Sequence, residues 1–170
     1  VAEIEAELGP VTLLVNCASV FEDDSFASMN RASWDAHLET NLRSPLVLAQ
    51  AFARRLPPTR NGLIVNILDQ RVLAPSPHFF SYSLSKSALW AATQMLAKEL
   101  APRIRVNGIG PGPTLPSIHQ QDADFIDEVA TTLLKRPVDP TEIGHALRYL
   151  IDAASVTGQM IAVDAGQHLA

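Results

Sequence analysis

The chain of 170 residues has one cysteine, no surplus of basic residues and no long apolar run. Cys17 alone cannot close an internal disulfide, which points to a reducing compartment and a cytoplasmic location. The five histidines are scattered without metal-ligand spacing, so no metal site is expected. Thirteen basic residues stand against 18 acidic ones, a formal net charge of −5, and no basic stripe marks a nucleic-acid or anionic-membrane partner. No segment reaches the length of a membrane span, and no charged-then-apolar leader opens the chain.

What is present suits one packed domain, residues 1–170. Hydrophobic residues make up 47% of the chain, enough for a core and too many for a disordered tract. The opening VAEIEAEL reads as the last turns of a helix stopped at Gly9-Pro10. A domain that begins inside an element suggests that more precedes Val1. Val11–Val15 (VTLLV) then predicts a strand buried on both faces. A polar loop, FEDDSFASMN, leads to a helical period through Trp34, Leu38, Leu42 and Leu46, with Pro45 a candidate kink and Pro57-Pro58 the stop. Leu63–Leu68 and Arg103–Ile109 predict two further strands, separated by a long helix from about Phe80 to Leu100. A mixed segment holds one loose helix, Thr141 is a candidate cap for another, and Met160–Asp164 predicts a fourth strand. Strands alternating with helices indicate an α/β fold with a parallel, doubly wound sheet.

Several residues could carry chemistry. Tyr82 and Lys86 share a helix face at i and i+4, where an ammonium would lower the phenol pKa toward neutrality and make a usable general acid. Tyr-x-x-x-Lys is also a common pattern. Asp69 lies at the carboxyl end of the second strand, where ligands bind in open α/β sheets, although taken alone a capping or turn aspartate is the more ordinary reading there. Asn16 ends the first strand. Asn41 falls inside a helical pattern that asparagine disfavours, which hints at a local distortion or a polar task. Gly110-Pro111-Gly112 permits close backbone approach to a ligand but is neither Gly-x-Gly-x-x-Gly nor a Walker sequence. Cys17 reads as filling a buried strand end.

VNCAS, Asn41, Tyr82-x-x-x-Lys86 with Asp69 thirteen residues before it, RVNGIGPGPT and TGQMIAVDAG follow in one order. The conjunction resembles the short-chain dehydrogenase/reductase family over nearly the whole chain. The resemblance implies a Rossmann-like fold, a nicotinamide cofactor, and catalytic roles for Tyr82, Lys86 and Asn41. It also implies cofactor contacts from Asn16, Ala18, Ser19, Tyr82, Lys86, Pro111, Gly112 and Thr114.

The family's usual serine is replaced here by Asp69. A carboxylate would repel the alkoxide that grows during carbonyl reduction and would raise the tyrosine pKa. It suits a substrate that presents N–H donors or becomes cationic, such as a protonated C=N bond. That exchange resembles the pteridine reductase branch, which includes dihydromonapterin reductases. The branch implies NADPH as reductant, a dihydropterin as substrate, and a catalytic set of Asp69, Tyr82, Lys86 and Asn41. Substrate contacts are then expected from Ser19, Phe21, Asp69 and Tyr82, with Phe21 stacking on the flat ring, although a loop aromatic covering the core would look the same. Lys86 would hold the nicotinamide ribose and tune Tyr82, and Asn41 would order a water in the proton relay.

The family's Gly-rich turn is not within these residues, so the resemblance makes the chain the carboxyl-terminal part of an incomplete sheet, strands 4 to 7 of the family order. Val11–Val15 would then expose an apolar edge, and the chain by itself would hold NADPH weakly. Residues 34–56 and 80–100 match helices that pack between subunits in the family, so a homotetramer or homodimer is expected. Leu115 to Leu134 lies where the family has a substrate lid. Two other readings stay open: a reductase of another imine or carbonyl, and a non-catalytic remnant or binding scaffold.

Overall fold

The computed structural model describes residues 2–117 and 120–170. Val1, the first residue of the expected opening helix, lies outside the described residues, as do Ile118 and His119 of the expected lid. Among the described residues four strands form one parallel sheet in the order β1-β2-β3-β4: Leu13–Asn16, Gly62–Ile67, Ile104–Pro111 and Met160–Val163. The register sets Asn16 beside Asn66, Asn66 beside Gly108 and Gly110 beside Ala162, so the carboxyl ends of neighbouring strands meet at one edge of the sheet.

Helix α1 (Ala2–Leu8) precedes β1, and the others cross between the strands: α2 (Arg31–Leu38), α3 (Ser44–Arg55), α4 (Phe80–Leu100), α5 (Asp122–Thr131) and α6 (Pro140–Asp152). Side chains alternate across a strand, and β2 and β3 use both faces. Ile64, Ile104 and Val106 pack with Ala49, Phe52 and Ala97 of α3 and α4. Leu63, Val65 and Ile109 pack with Leu150 of α6 on the opposite face. Two cores on one sheet are the doubly wound arrangement expected of the alternating pattern. Gly62 makes room for Phe52, since a Cβ there would lie 2.9 Å from the Phe52 ring.

Burial on both faces holds for β2 but not for β1, where Leu13 is 37% exposed. The strand stands at the sheet edge and starts at Leu13 rather than Val11, and its apolar side chains are the exposed edge foreseen for an incomplete sheet. Cys17 follows it and is exposed, not buried at a strand end.

The helical pattern of residues 34–56 is interrupted before Pro45, not at it. A π turn at Glu39–Arg43 separates α2 from α3, and the Ser44 N–H reaches five residues back to the Glu39 carbonyl. Pro45 has no N–H for the carbonyl of Asn41 four residues earlier, and the wider turn accommodates that gap. The cap of α6 is Asp139 rather than Thr141. Its carboxylate accepts from the Thr141 N–H at 2.8 Å, and Glu142 accepts from the Asp139 N–H at 3.0 Å. Pro140 takes the first helical turn, so the cap falls on the residue before it.

Phe52→Ala should lower the unfolding free energy by about 3–5 kcal/mol, because it removes a fully buried ring between α3 and the sheet. Urea denaturation monitored by circular dichroism measures this, and a loss under about 1 kcal/mol would contradict the packing described.

Candidate active site

Three turns at the carboxyl ends of β1, β2 and β3 converge with the first turns of α4. Asp69 ends the β2 segment and caps a short 3-10 turn, Gln70–Val72, so its carboxylate is held by local backbone geometry. Oδ1 accepts from the Arg71 backbone N–H at 2.8 Å, and Oδ2 accepts from the Tyr82 hydroxyl at 2.7 Å. Tyr82 and Lys86 lie one turn apart on α4 and are both buried. The Lys86 ammonium donates to the Ile67 carbonyl at 2.9 Å and lies 5.7 Å from the Tyr82 ring centroid.

The Tyr82 phenol moves in the opposite direction from that expected of its pairing with Lys86. Burial drives its pKa well above 10, the negative charge of Asp69 and their hydrogen bond add to the rise, and Arg71 offsets part of it. Burial pulls the Lys86 ammonium below its usual value, against the attraction of Asp69. The raised pKa keeps the phenol protonated at neutral pH, with its proton directed at Asp69.

A cavity of about 260 Å³ gathers Ser19, Phe21, Asp69, Tyr82, Lys86, Pro111, Gly112 and Thr114 on its wall. Gly112 packs so closely on Asp164 that a Cβ would lie 2.6 Å from its Cα. Asn16, Ala18 and Asn41 are off this wall. Asn16 ties β1 to β2 through the Asn66 side chain at 2.8 Å, and its own Oδ1 is buried without a partner among the described residues. Ala18 lines a smaller cavity beside Thr40 and Pro45.

Asn41, placed by the π turn, accepts from the Val20 N–H at 2.7 Å and from Ser19 Oγ at 3.2 Å. It donates to the Val20 carbonyl at 2.9 Å and to Ser85 Oγ at 3.0 Å. Its amide is thereby committed to clamping the loop that carries Phe21, and that occupies the group expected to order a water. Buried His37 holds the same loop by accepting from the Glu22 N–H at 3.2 Å, with its Nδ1 2.8 Å from the Ser33 carbonyl. Asp24 anchors the loop to α4, accepting from the Ser81 N–H at 2.8 Å. Burial works against the Asp24 charge, but hydrogen bonds from Ser81 and Ser33 hold its carboxyl below the usual range.

Phe21 stacks on Phe79, with ring centroids 4.3 Å apart and planes 11° apart, and meets Tyr82 edge-on at 4.7 Å. Phe79 backs one side of Phe21 from a left-handed backbone, φ 52°, a strained conformation of the kind stored at functional sites. Arg71, Gln120, Glu128 and Gln167 also reach the cavity. Glu128 accepts from the amides of Gln120 at 3.0 Å and Gln167 at 3.2 Å. These residues come from separate segments and form no local sequence pattern; only Arg71, two residues past Asp69, sat beside a position that had drawn notice. No cluster suited to a metal ion occurs among the described residues, and none of their helices is long and apolar enough to cross a membrane.

A family model described as enoyl-(acyl carrier protein) reductase matches residues 1–168. Nodulation protein G of Azospirillum brasilense is 35% identical over 171 residues, covering 98% of this chain and 70% of its own length. The 3-oxoacyl-[acyl-carrier-protein] reductase FabG of Thermotoga maritima is 30% identical over 171 residues, with the same coverages of 98% and 70%. Among solved structures, FolM alternative dihydrofolate reductase 1 of Brucella canis, complexed with NADP, is 49% identical with a TM-score of 0.97, over 100% of this chain and 68% of its own. Its counterpart from Brucella suis, also with NADP, is 50% identical with a TM-score of 0.97, over 100% and 69%.

Because its folded pKa is raised above 10, the Tyr82 phenol contributes stability that is full below pH 10 and is lost as pH rises toward the folded value. Absorbance at 295 nm should show Tyr82 ionising well above pH 10, and Asp69→Asn should bring that ionisation down. An Asp69→Asn midpoint equal to the wild-type one would contradict the coupling.

Proposed function

The chain belongs to the short-chain dehydrogenase/reductase family, and on that premise we propose that it reduces a C=N bond of a dihydropterin or related pteridine, with NADPH as reductant. The observation that carries the reading is the 2.7 Å hydrogen bond from Tyr82 to Asp69 at the position where the family has a serine. A serine hydroxyl would donate to a growing alkoxide, whereas a carboxylate there repels it. The same carboxylate attracts a ring N–H or a protonated imine.

The donor set fits a nicotinamide nucleotide. Lys86 is buried, and its ammonium spends one of its three N–H groups on Ile67 among the described residues, which leaves two for a ribose diol. Ser19, Pro111, Gly112 and Thr114 line the rest of the cavity and would hold the remainder, with Asn16 and Ala18 at the adjoining strand end. When bound, NADPH supplies the hydride. Phe21, backed by Phe79, offers a flat surface for the pterin ring. Tyr82 gives its hydroxyl proton to the ring nitrogen while Asp69 orients the phenol and the substrate. Loss of that proton leaves two negative oxygens close together, and Lys86 and Arg71 are the neighbouring positive charges that offset them. Asn41 supports the site by holding the Ser19–Phe21 loop.

Val47 and Leu48 of α3 and Leu84 and Met95 of α4 are exposed apolar residues. They support self-association through these helices as a homodimer or homotetramer. The similarity to FolM proteins of two Brucella species supports the pteridine reading, while relatives such as the 3-oxoacyl reductase act on other substrates by name.

NADPH oxidation by the natural full-length protein should be fast with 7,8-dihydrobiopterin or dihydrofolate and slow with a simple ketone or a 3-oxoacyl thioester. Tyr82→Phe should lower kcat by about 100- to 10,000-fold, the usual range for a lost general acid. Asp69→Ala should greatly reduce dihydropterin turnover, and undiminished turnover would overturn the assignment. Faster reduction of ketones than of dihydropterins would favour the carbonyl reading, and failure to take up NADPH would favour a binding scaffold.

A further inference from the structure

We propose that Arg71 is a positioning residue for this reaction: it holds the Asp69 carboxylate aimed at the Tyr82 hydroxyl, and it braces the aromatic surface on which the substrate lies. The inference rests on the reading of Tyr82 as proton donor.

A single residue approaches both carboxylate oxygens of Asp69. The Arg71 backbone N–H donates to Oδ1 at 2.8 Å, and its Nη1 lies 4.0 Å from Oδ2, the oxygen that receives the Tyr82 hydroxyl. The 3-10 turn forces this pairing, because an aspartate capping such a turn bonds the N–H two residues on and thereby brings that residue's side chain alongside. The guanidinium is also confined by the rings, 5.5 Å from the centroid of Phe21 and 5.1 Å from that of Phe79. With its side chain 18% exposed and Asp69 16% exposed, the charge acts through a partly desolvated medium, where it counts for more than on an open surface.

The other charged and titratable groups around Asp69 do not substitute for it. From α4, Lys86 is tied to the Ile67 carbonyl, and Tyr82 is the donor already engaged. Across the cavity, Glu128 of α5 is occupied by the amides of Gln120 and Gln167. Glu22 and Asp23 line an adjoining cavity and add negative charge, as does Asp124. Arg71 lines both cavities, the one that holds Asp69 and the one that holds those acids. Arginine suits the place better than lysine, because its planar group lies against rings while keeping a fixed charge.

The test is the absorbance at 295 nm of the natural full-length protein against pH, with the Tyr82 step assigned by its absence in Tyr82→Phe, together with dihydropterin kinetics. Arg71→Gln and Arg71→Met should each move the Tyr82 ionisation further up, because the Arg71 charge offsets part of its rise. Both should also raise KM for a dihydropterin severalfold, since the carboxylate and the rings lose their brace. Arg71→Lys should restore most of the Tyr82 position while still raising KM severalfold, since it keeps the charge and loses the ring contact. An unmoved Tyr82 ionisation or an unmoved KM in both neutral variants would overturn the proposal, and the two variants differ enough in polarity that a folding failure in one leaves the other decisive. If Asp69→Asn and Tyr82→Phe leave dihydropterin turnover intact, the proton-donor reading falls instead, and with it the catalytic meaning of Arg71.

Discussion

A half-buried carboxylate and a buried phenol can share a small space only if one donates to the other, and the 2.7 Å bond from Tyr82 to Asp69 meets that condition. The bond fixes a protonation state. Tyr82 must keep its proton to satisfy Asp69, and its pKa rises accordingly, with burial contributing most. The rest of the cavity is arranged around that pair. Lys86 supplies positive charge behind the ring, Arg71 supplies it in front, and Phe21 meets the Tyr82 edge at the place a flat substrate would enter.

The loop that carries Phe21 has little core of its own, and polar side chains hold it. Asn41 ties down its first part with three hydrogen bonds and adds a fourth to Ser85 of α4, His37 takes the Glu22 N–H, and Asp24 fastens its end to the first turn of α4. The loop is thus held from α2, the π turn and α4, and is fixed relative to Tyr82 as much as to the sheet. The π turn at Glu39–Arg43 gives Asn41 its reach, and the missing N–H of Pro45 makes that turn tolerable. A helical irregularity thus sets the position of an aromatic surface.

The strand order, the helices and the Asp69-Tyr82-Lys86 set were legible because each rests on local signals: apolar runs of strand length, a Tyr-x-x-x-Lys spacing, and a carboxylate at a strand end. The distortion at Asn41 was legible too, since asparagine inside a helical run is costly. What escaped was non-local. Leu13 looked buried because burial on both faces depends on neighbours on both sides, and β1 is at an edge. The sequence offered two opposite influences on Tyr82, a lowering from Lys86 and a raising from Asp69, and the fold decides between them by burying the phenol and turning Lys86 to a backbone carbonyl. Phe79, Gln120, Glu128 and Gln167 meet only through the fold.

The carboxylate also bears on why relatives sharing this fold are named for carbonyl substrates. In carbonyl reduction negative charge grows on the oxygen that faces the tyrosine, and a neutral donor beside it lowers the barrier. When a protonated imine is reduced, the nitrogen starts cationic and ends neutral, so no negative charge develops on it and a nearby carboxylate does not oppose hydride addition. It even favours the protonated imine, which accepts hydride more readily. One side chain at the end of β2 can therefore redirect a common Tyr-Lys pair from oxygen to nitrogen chemistry without altering the sheet. Such an exchange needs a buried phenol able to stay protonated beside an anion, and a compensating cation close by. Tyr82 and Arg71 meet those two requirements here.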